Sequence, residues 1–245
     1  MRAVLTILLL VGCVHNVVSQ DSNQARAVSL NARMGACIGA PIPVGDIPAG
    51  SSGSPRPGFV AGLTIDVPLS QQWSVSIEPQ FVHYDATFIT PLVDQPYIDK
   101  IAVTTPDGST TILEVSTTFT GEATGEFSTD YIQVPVLARL QTSTNWSVLA
   151  GGYLGWMVQT KSNATGVGTV GIRPEVVTRN LEFGDRMQGF DVGLQLGGQV
   201  QIYEDLQVAL RGVYGLTSIF SPDFATVDRT VQNIFLHLTV GFRLM

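Results

Sequence analysis

NIFLHLTVGFRLM, residues Asn233 to Met245, alternates from Ile234 onward. Ile234, Leu236, Leu238, Val240, Phe242 and Leu244 are apolar, and Phe235, His237, Thr239, Gly241 and Arg243 lie between them. A two-residue period sends successive side chains to opposite faces, so this stretch is a strand with one apolar and one mostly polar face. The fold depends on what bathes each face.

Seven more segments carry the same alternation, and the set lies near 27–38, 58–68, 73–86, 128–142, 146–160, 190–203, 206–219 and 233–244. "SQQ", "STN" and "ED" join the second to the third, the fourth to the fifth and the sixth to the seventh, which are hairpin lengths. The other connections, 39–57, 87–127, 161–189 and 220–232, are long. Strict alternation of short and long connections is the build of an up-and-down membrane barrel, with tight periplasmic turns and long external loops. Greek-key sandwiches have no reason to alternate so. Within 87–127, Asp107-Gly108 between β-prone runs predicts a projecting two-stranded ribbon, whereas the Gly- and Thr-rich 161–189 segment reads as irregular.

Charges assign the faces. Arg33, Asp66, Glu78, Arg139, Asp191, Arg211, His237 and Arg243 all fall on the polar parity of their strands, opposite the Val/Leu/Ile rows. A water-washed β face carries lysine freely, but the chain's two lysines, Lys100 and Lys161, lie outside these rows. Near-neutral arginines and carboxylates suit a confined interior, where buried charges must be paired. The expectation is therefore an all-β, eight-stranded antiparallel transmembrane β-barrel with lipid outside and a polar network inside. It must close, because an open edge in lipid would strand backbone groups at several kcal/mol each.

On the lipid face Trp73, Trp146 and Phe242 lie near the short-turn end, and Phe59, Phe81, Trp156, Phe190 and Tyr214 near the long-loop end, as two aromatic belts would. Pro79 and Pro135 interrupt strands in a barrel that has no edges, so local bulges are expected there.

Composition agrees. Charged residues make up 13% of the chain, about half the ~25% of an ordinary soluble domain. Mean hydropathy is +0.25, yet after the leader no apolar run approaches the ~18 residues of a membrane helix. The net charge of −7 argues against a nucleic-acid partner. Residues 1–19, with Arg2 before an apolar stretch and small residues after it, read as a secretory signal cleaved after Ser19, leaving 20–245 as the barrel domain. "LVGC" ending at Cys13 is the competing lipobox reading. With ordinary cleavage only Cys37 remains, and no intramolecular disulfide can form.

"DYIQVPVLARLQTSTNWSVLAGGYLGWMV" (Asp130–Val158) resembles the central hairpin of the porin-family outer-membrane β-barrel domain common in Bacteroidetes-type bacteria, a small OmpA/OmpX-like barrel. "GFDVGLQLGGQVQI", "LQVALRGVYGLTSIF" and the closing strand resemble the hairpin and strand that follow. The resemblance spans essentially the whole mature chain and implies a Gram-negative outer-membrane location and architecture rather than an activity. It also supplies a family reason for Pro135. Barrels of this kind typically end in an aromatic residue read by the assembly machinery; this chain ends in Met245.

Eight strands enclose a space that side chains just fill, so a wide channel is not expected. The leading expectation is a non-enzymatic, monomeric envelope protein, structural or surface-interacting, with no cofactor and no metal. Its partners would be outer-membrane lipid, the barrel-assembly machinery and an unidentified extracellular ligand of the loops. The alternatives are a narrow charged conductor, a lipid-modifying enzyme using Ser with His83 or His237, and a soluble calyx with the faces exchanged. Each histidine reads better as structural, His83 at a strand end and His237 near Asp191 or Arg243. "GVGTVG" (Gly166–Gly171) lacks a strand-to-helix context for a nucleotide and reads as a surface loop. Asp94, Asp99 and Asp107 match no calcium spacing and read as solvated loop carboxylates. The "NWS" and "NAT" sequons carry little meaning in a bacterial chain.

Overall fold

A computed structural model describes residues 27–45, 49–171, 175–222 and 230–245. The expected leader 1–19 and Cys13 lie outside the described residues. In chain order the strands are β1 (Ser29–Val44), β2 (Ser52–Pro68), β3 (Trp73–Ile77), β4 (Gln80–Thr104), β5 (Thr110–Gln141), β6 (Trp146–Thr160), β7 (Asn163–Val170), β8 (Val177–Glu182), β9 (Phe190–Tyr203), β10 (Leu206–Gly215) and β11 (Thr230–Arg243). No described helix is long and apolar enough to cross a membrane.

All pairings are antiparallel, and they close a ring. β3 and β4 act as one strand, so the order is β1, β2, β3/β4, β5, β6, β9, β10, β11 and back to β1. The first and last strands pair from Asn31↔Arg243 to Val44↔Thr230, leaving neither with an open edge along that length. The turns at 69–72, 142–145 and 204–205 are short, as the alternation required.

The faces fall as the charges implied. Met34, Leu196, Leu210, Leu238 and Phe242 point outward and are exposed, while Gln133, Gln195, Arg211, His237 and Thr239 on the opposite parity are buried. A calyx would reverse this, so the soluble reading is excluded.

The long connections differ from expectation. β4 and β5 continue far past the closed ring, with one irregularity at Leu92/Gln95, pairing as far as Thr104↔Thr110. Asp107-Gly108 makes the turn, with Gly108 at φ +83°, but the ribbon is the barrel's own strands prolonged rather than a separate hairpin. The 161–189 segment is not irregular. It supplies β7, which pairs with β5 from Phe119↔Val170 to Glu126↔Asn163, and β8, which pairs with β7. "GVGTVG" is therefore mostly strand: its alternating glycines let β7 lie close against β5, and Gly168 sits opposite Gly121. The outcome is a β4–β5–β7–β8 sheet rising from one side of the barrel, while β10 ends at Gly215 on the other.

Neither proline makes a bulge. Register is the same on both sides of Pro79, since Ile77 and Gln80 continue one pairing frame with β2 and with β5. Pro135 likewise stays in frame with Tyr153. Each proline forgoes its donor but keeps its carbonyl in the ladder: Leu63 N–H donates to Pro79 O at 3.0 Å and Glu78 N–H to Pro135 O at 2.9 Å. One lost bond apiece is tolerated where the flanking ladder fixes the frame. The shifts occur instead at Arg56/Phe59, Leu92/Gln95, Asp130/Tyr131 and Leu206/Gln207.

Candidate functional site

The ring brings most of the polar-parity residues together in layers. Nearest the short turns, Asp66 accepts from Asn31 Nδ2 at 3.2 Å, from Arg139 Nη1 at 3.2 Å and from the Ser76 hydroxyl. Arg139 Nε also donates to Ser147 Oγ at 3.1 Å. Above lies Glu78, fully buried, which takes Nη1 of both Arg33 and Arg211 on one carboxylate oxygen. These three side chains come from β1, from the break between β3 and β4, and from β10. They meet only because the sheet closes.

A third layer runs from Gln80 Nε2 to Gln133 Oε1 at 3.1 Å, from Gln133 Nε2 to Tyr84 Oη at 3.3 Å, and from Tyr84 Oη to His237 Nε2 at 3.1 Å. His237 is thus partnered by Tyr84 and sits opposite Arg211, not beside Asp191 or Arg243. Asp191 forms its own layer, accepting from Tyr153 Oη at 2.8 Å, Thr217 Oγ1 at 2.8 Å and Asn233 Nδ2 at 2.9 Å. Arg243 departs from the expected network. It is exposed at the end of β11 opposite Asn31, where the strand ends.

Apart from the Asp191 layer, the upper interior is largely apolar and aromatic. Tyr84, Tyr131, Tyr153, Val213 and Phe235 pack with Cys37, Val60 and Val82 in one buried cluster, and Phe127, Phe183, Met187, Ile219, Phe220 and Val231 form a second above it. This aromatic plug escaped the sequence reading because its members occupy polar-parity positions. A run such as Tyr84, Tyr131, Tyr153 and Phe235 at inward positions was the available signal. Cys37 is buried and free.

Between the arginine layer and the short turns a cavity bordered by Arg33, Gln207 and Arg211 amounts to about 10 Å³, scarcely one water.

The outer face carries the expected aromatics. Trp73, Trp146, Phe242, Phe59, Trp156 and Tyr214 are exposed, and Phe81 and Phe190 are half-buried against Phe59 and Trp156, with ring centroids 5.7 Å apart in each pair. Just beyond Phe59 and Phe81 the outer surface turns polar. His83 Nδ1 lies 2.6 Å from Asp130 Oδ1, and Arg56 Nη1 reaches Glu126 at 3.2 Å and Asp85 at 3.7 Å. His83 is inside β4 rather than at a strand end, because that strand continues past it.

Of the loop carboxylates, Asp107 caps its turn and Asp94 exchanges hydrogen bonds with Thr120. Asp99 is not solvated: it is 6% exposed and paired with Arg179 Nε at 3.2 Å. Among the described residues no group of His, Cys, Asp and Glu could hold a metal.

Residues 19–221 match the family described as outer membrane protein beta-barrel domain. The chain belongs to that family. Membership places it in the Gram-negative outer membrane and agrees with the closed ring and its apolar exterior. Ail, the attachment invasion locus protein of Yersinia pestis, solved with the heparin analogue sucrose octasulfate, is 11% identical, with 89% of this chain and 99% of Ail covered and a TM-score of 0.42. Neisserial surface protein A is 9% identical over 89% of this chain and 99% of its own, with a TM-score of 0.36. No curated protein matches the sequence. For this family member, then, architecture and location stand on the family match and the ring, and its activity is argued from the geometry.

Proposed function

We propose that the protein is a non-enzymatic barrel, exported by its 1–19 leader, that presents the β4–β5–β7–β8 sheet to a partner outside the cell. The observation that carries this reading is the contrast between a filled interior and a built exterior. The barrel is blocked by the Glu78 layer and by two aromatic clusters above it. A conductor would need continuous water past the Glu78 layer, where the cavity beside Arg33 and Arg211 of about 10 Å³ holds scarcely one molecule. By contrast, the sheet above the ring is long, hydrogen-bonded and oriented by the barrel strands themselves.

Trp146 and Trp156 support the membrane placement. They share the outward face of β6. Ten residue steps cover ~33 Å of strand, or ~25 Å along the axis at a ~40° tilt, which is the height of an outer-membrane apolar band. The lipid boundary then falls between Phe81 and His83. His83 and Asp130, 2.6 Å apart, would sit at headgroup level as a structural pair.

Charge narrows the partner class. Residues 85–130 carry eight carboxylates (Asp85, Asp94, Asp99, Asp107, Glu114, Glu122, Glu126 and Asp130) against Lys100 alone. Such a ribbon favours a cationic partner over a polyanion. Two measurements test the reading. External protease on intact cells should cut near the 105–109 turn while the remaining barrel keeps its heat-modifiable gel migration. Steady single-channel currents in planar bilayers would overturn it in favour of the narrow conductor.

A further inference from the structure

Over the aromatic plug, which forms its floor, the tall sheet and the upper ends of β1 and β2 border a half-open cavity of about 1590 Å³. That exceeds the ~300–1,000 Å³ of ordinary small-molecule sites. On the sheet side it is lined by Tyr97 and Leu181, with Phe119 and Ala123 buried behind them, and the Asp99–Arg179 pair is its main charged feature, already neutralised within itself. Its other wall is unusual in belonging to the outside of the barrel. Leu194, Leu196, Gly212 and Leu236, all on the outward parity of β9, β10 and β11, border the same cavity. These leucines are 51%, 64% and 44% exposed and belong to the apolar rows assigned to lipid.

We propose that this cavity is a lateral site for the hydrocarbon chain of an outer-leaflet membrane lipid, which passes over the short β9–β11 rim and lies beneath the β4–β5–β7–β8 sheet. The inference rests on the membrane placement but not on the surface-interaction role. Continuity selects the occupant. A mostly apolar surface that starts on the lipid-facing wall and runs under the sheet, with Ser51, Thr90, Gln95 and Asn180 among its polar members, is open to hydrocarbon from the bilayer side, and burying each CH₂ there contributes ~0.8 kcal/mol relative to water. A soluble ligand would instead need polar groups converging on its head, and here Arg179 is already committed to Asp99. Gly212 marks the passage. A Cβ there would have only Leu196 O nearby, at 3.8 Å, so the groove at this point is open space bounded by leucines.

The test uses the full chain reconstituted in phosphatidylcholine vesicles containing a phospholipid with a photoactivatable diazirine near the end of one acyl chain. After illumination, labelled peptides are mapped by mass spectrometry. Expected are adducts on Tyr97 or Leu181, which line the cavity well above the lipid boundary, in addition to those on Leu194 and Leu196. Gly212→Phe, which fills the passage without a Cβ clash, should reduce the Tyr97/Leu181 adducts at least fivefold and leave labelling of Val148 and Leu154 on β6 unchanged. Adducts confined to the outward rows would overturn the proposal while leaving the barrel assignment intact, as heat-modifiable migration of the same sample would show. Labelling of Tyr97 or Leu181 by a water-soluble diazirine fatty acid but not by the vesicle lipid would overturn it too, in favour of a soluble ligand.

Discussion

Tyr84 and Phe235 stack almost parallel across the barrel interior, with ring centroids 3.7 Å apart and planes 15° from coplanar. Tyr84 comes from β4 and Phe235 from β11, strands separated in the ring by β2 and β1, so the contact ties opposite parts of the wall together. Removing the Phe235 ring leaves a cavity facing Tyr84 and Val213. Phe235→Ala should cost ~3–5 kcal/mol, as buried Phe→Ala changes do, and Phe235→Leu less. Urea unfolding in vesicles, scored by heat-modifiable migration, measures this; a cost below ~1 kcal/mol would mean the interior is not packed as described.

The Glu78 carboxylate holds two guanidinium groups in a water-poor layer. Glu78→Gln leaves Arg33 and Arg211 facing each other without a counter-charge, and breaking a buried ion cluster in this way costs ~3–5 kcal/mol. Replacing all three together (Arg33→Met, Glu78→Leu, Arg211→Met) should come close to wild-type stability, because the desolvation cost disappears with the charges. A triple variant as unstable as Glu78→Gln alone would show that the layer does more than pair charges.

Two glycines make a matched pair for side-chain scanning. Gly193 faces inward, where an added methyl meets the Tyr153 ring and the Tyr214 carbonyl. Gly193→Ala should destabilise by ~1–3 kcal/mol, the usual cost of overpacking. Gly212 faces outward with room to spare, so Gly212→Ala should change stability little. Equal costs at the two positions would contradict the assignment of inside and outside.

Hydrogen bonds from the Thr105 hydroxyl, then from the Ser109 N–H and hydroxyl, hold the Asp107 carboxyl down from its ordinary 3.8 to about 2. A depressed pKa means the carboxylate stabilises the turn fully above the unfolded value and loses that contribution as pH falls through the folded one. The turn should therefore loosen between pH ~4 and pH ~2. Amide exchange at Gly108 and Ser109 reads this directly. Asp107→Ala should already show the loosened rate at neutral pH and little further change on acidification.

The wall of the barrel was readable residue by residue. The alternation in Ile234–Leu244 and its seven counterparts, together with the "SQQ", "STN" and "ED" turns, gave strand number, connection pattern and the outward rows. The site was less so. Arg243 shares the parity of Arg211 yet ends outside, and His237 finds Tyr84, a residue no local pattern couples to it. Pro79 and Pro135 suggested bulges because each loses a donor; the register held because ladder bonds on both sides outweigh one missing bond.

A period-two pattern is a local property, legible in any few consecutive residues, so sequence alone determined which face of each strand meets hydrocarbon and that the sheet must close. Which polar groups neutralise one another across the lumen, and where the strands stop, depends on the stagger accumulated around the whole ring. That stagger brings Arg33, Glu78 and Arg211 to one height and carries β4 and β5 past the rim, where the Gly-rich 163–170 segment could join them as strand. Only the closed tertiary structure contains that information.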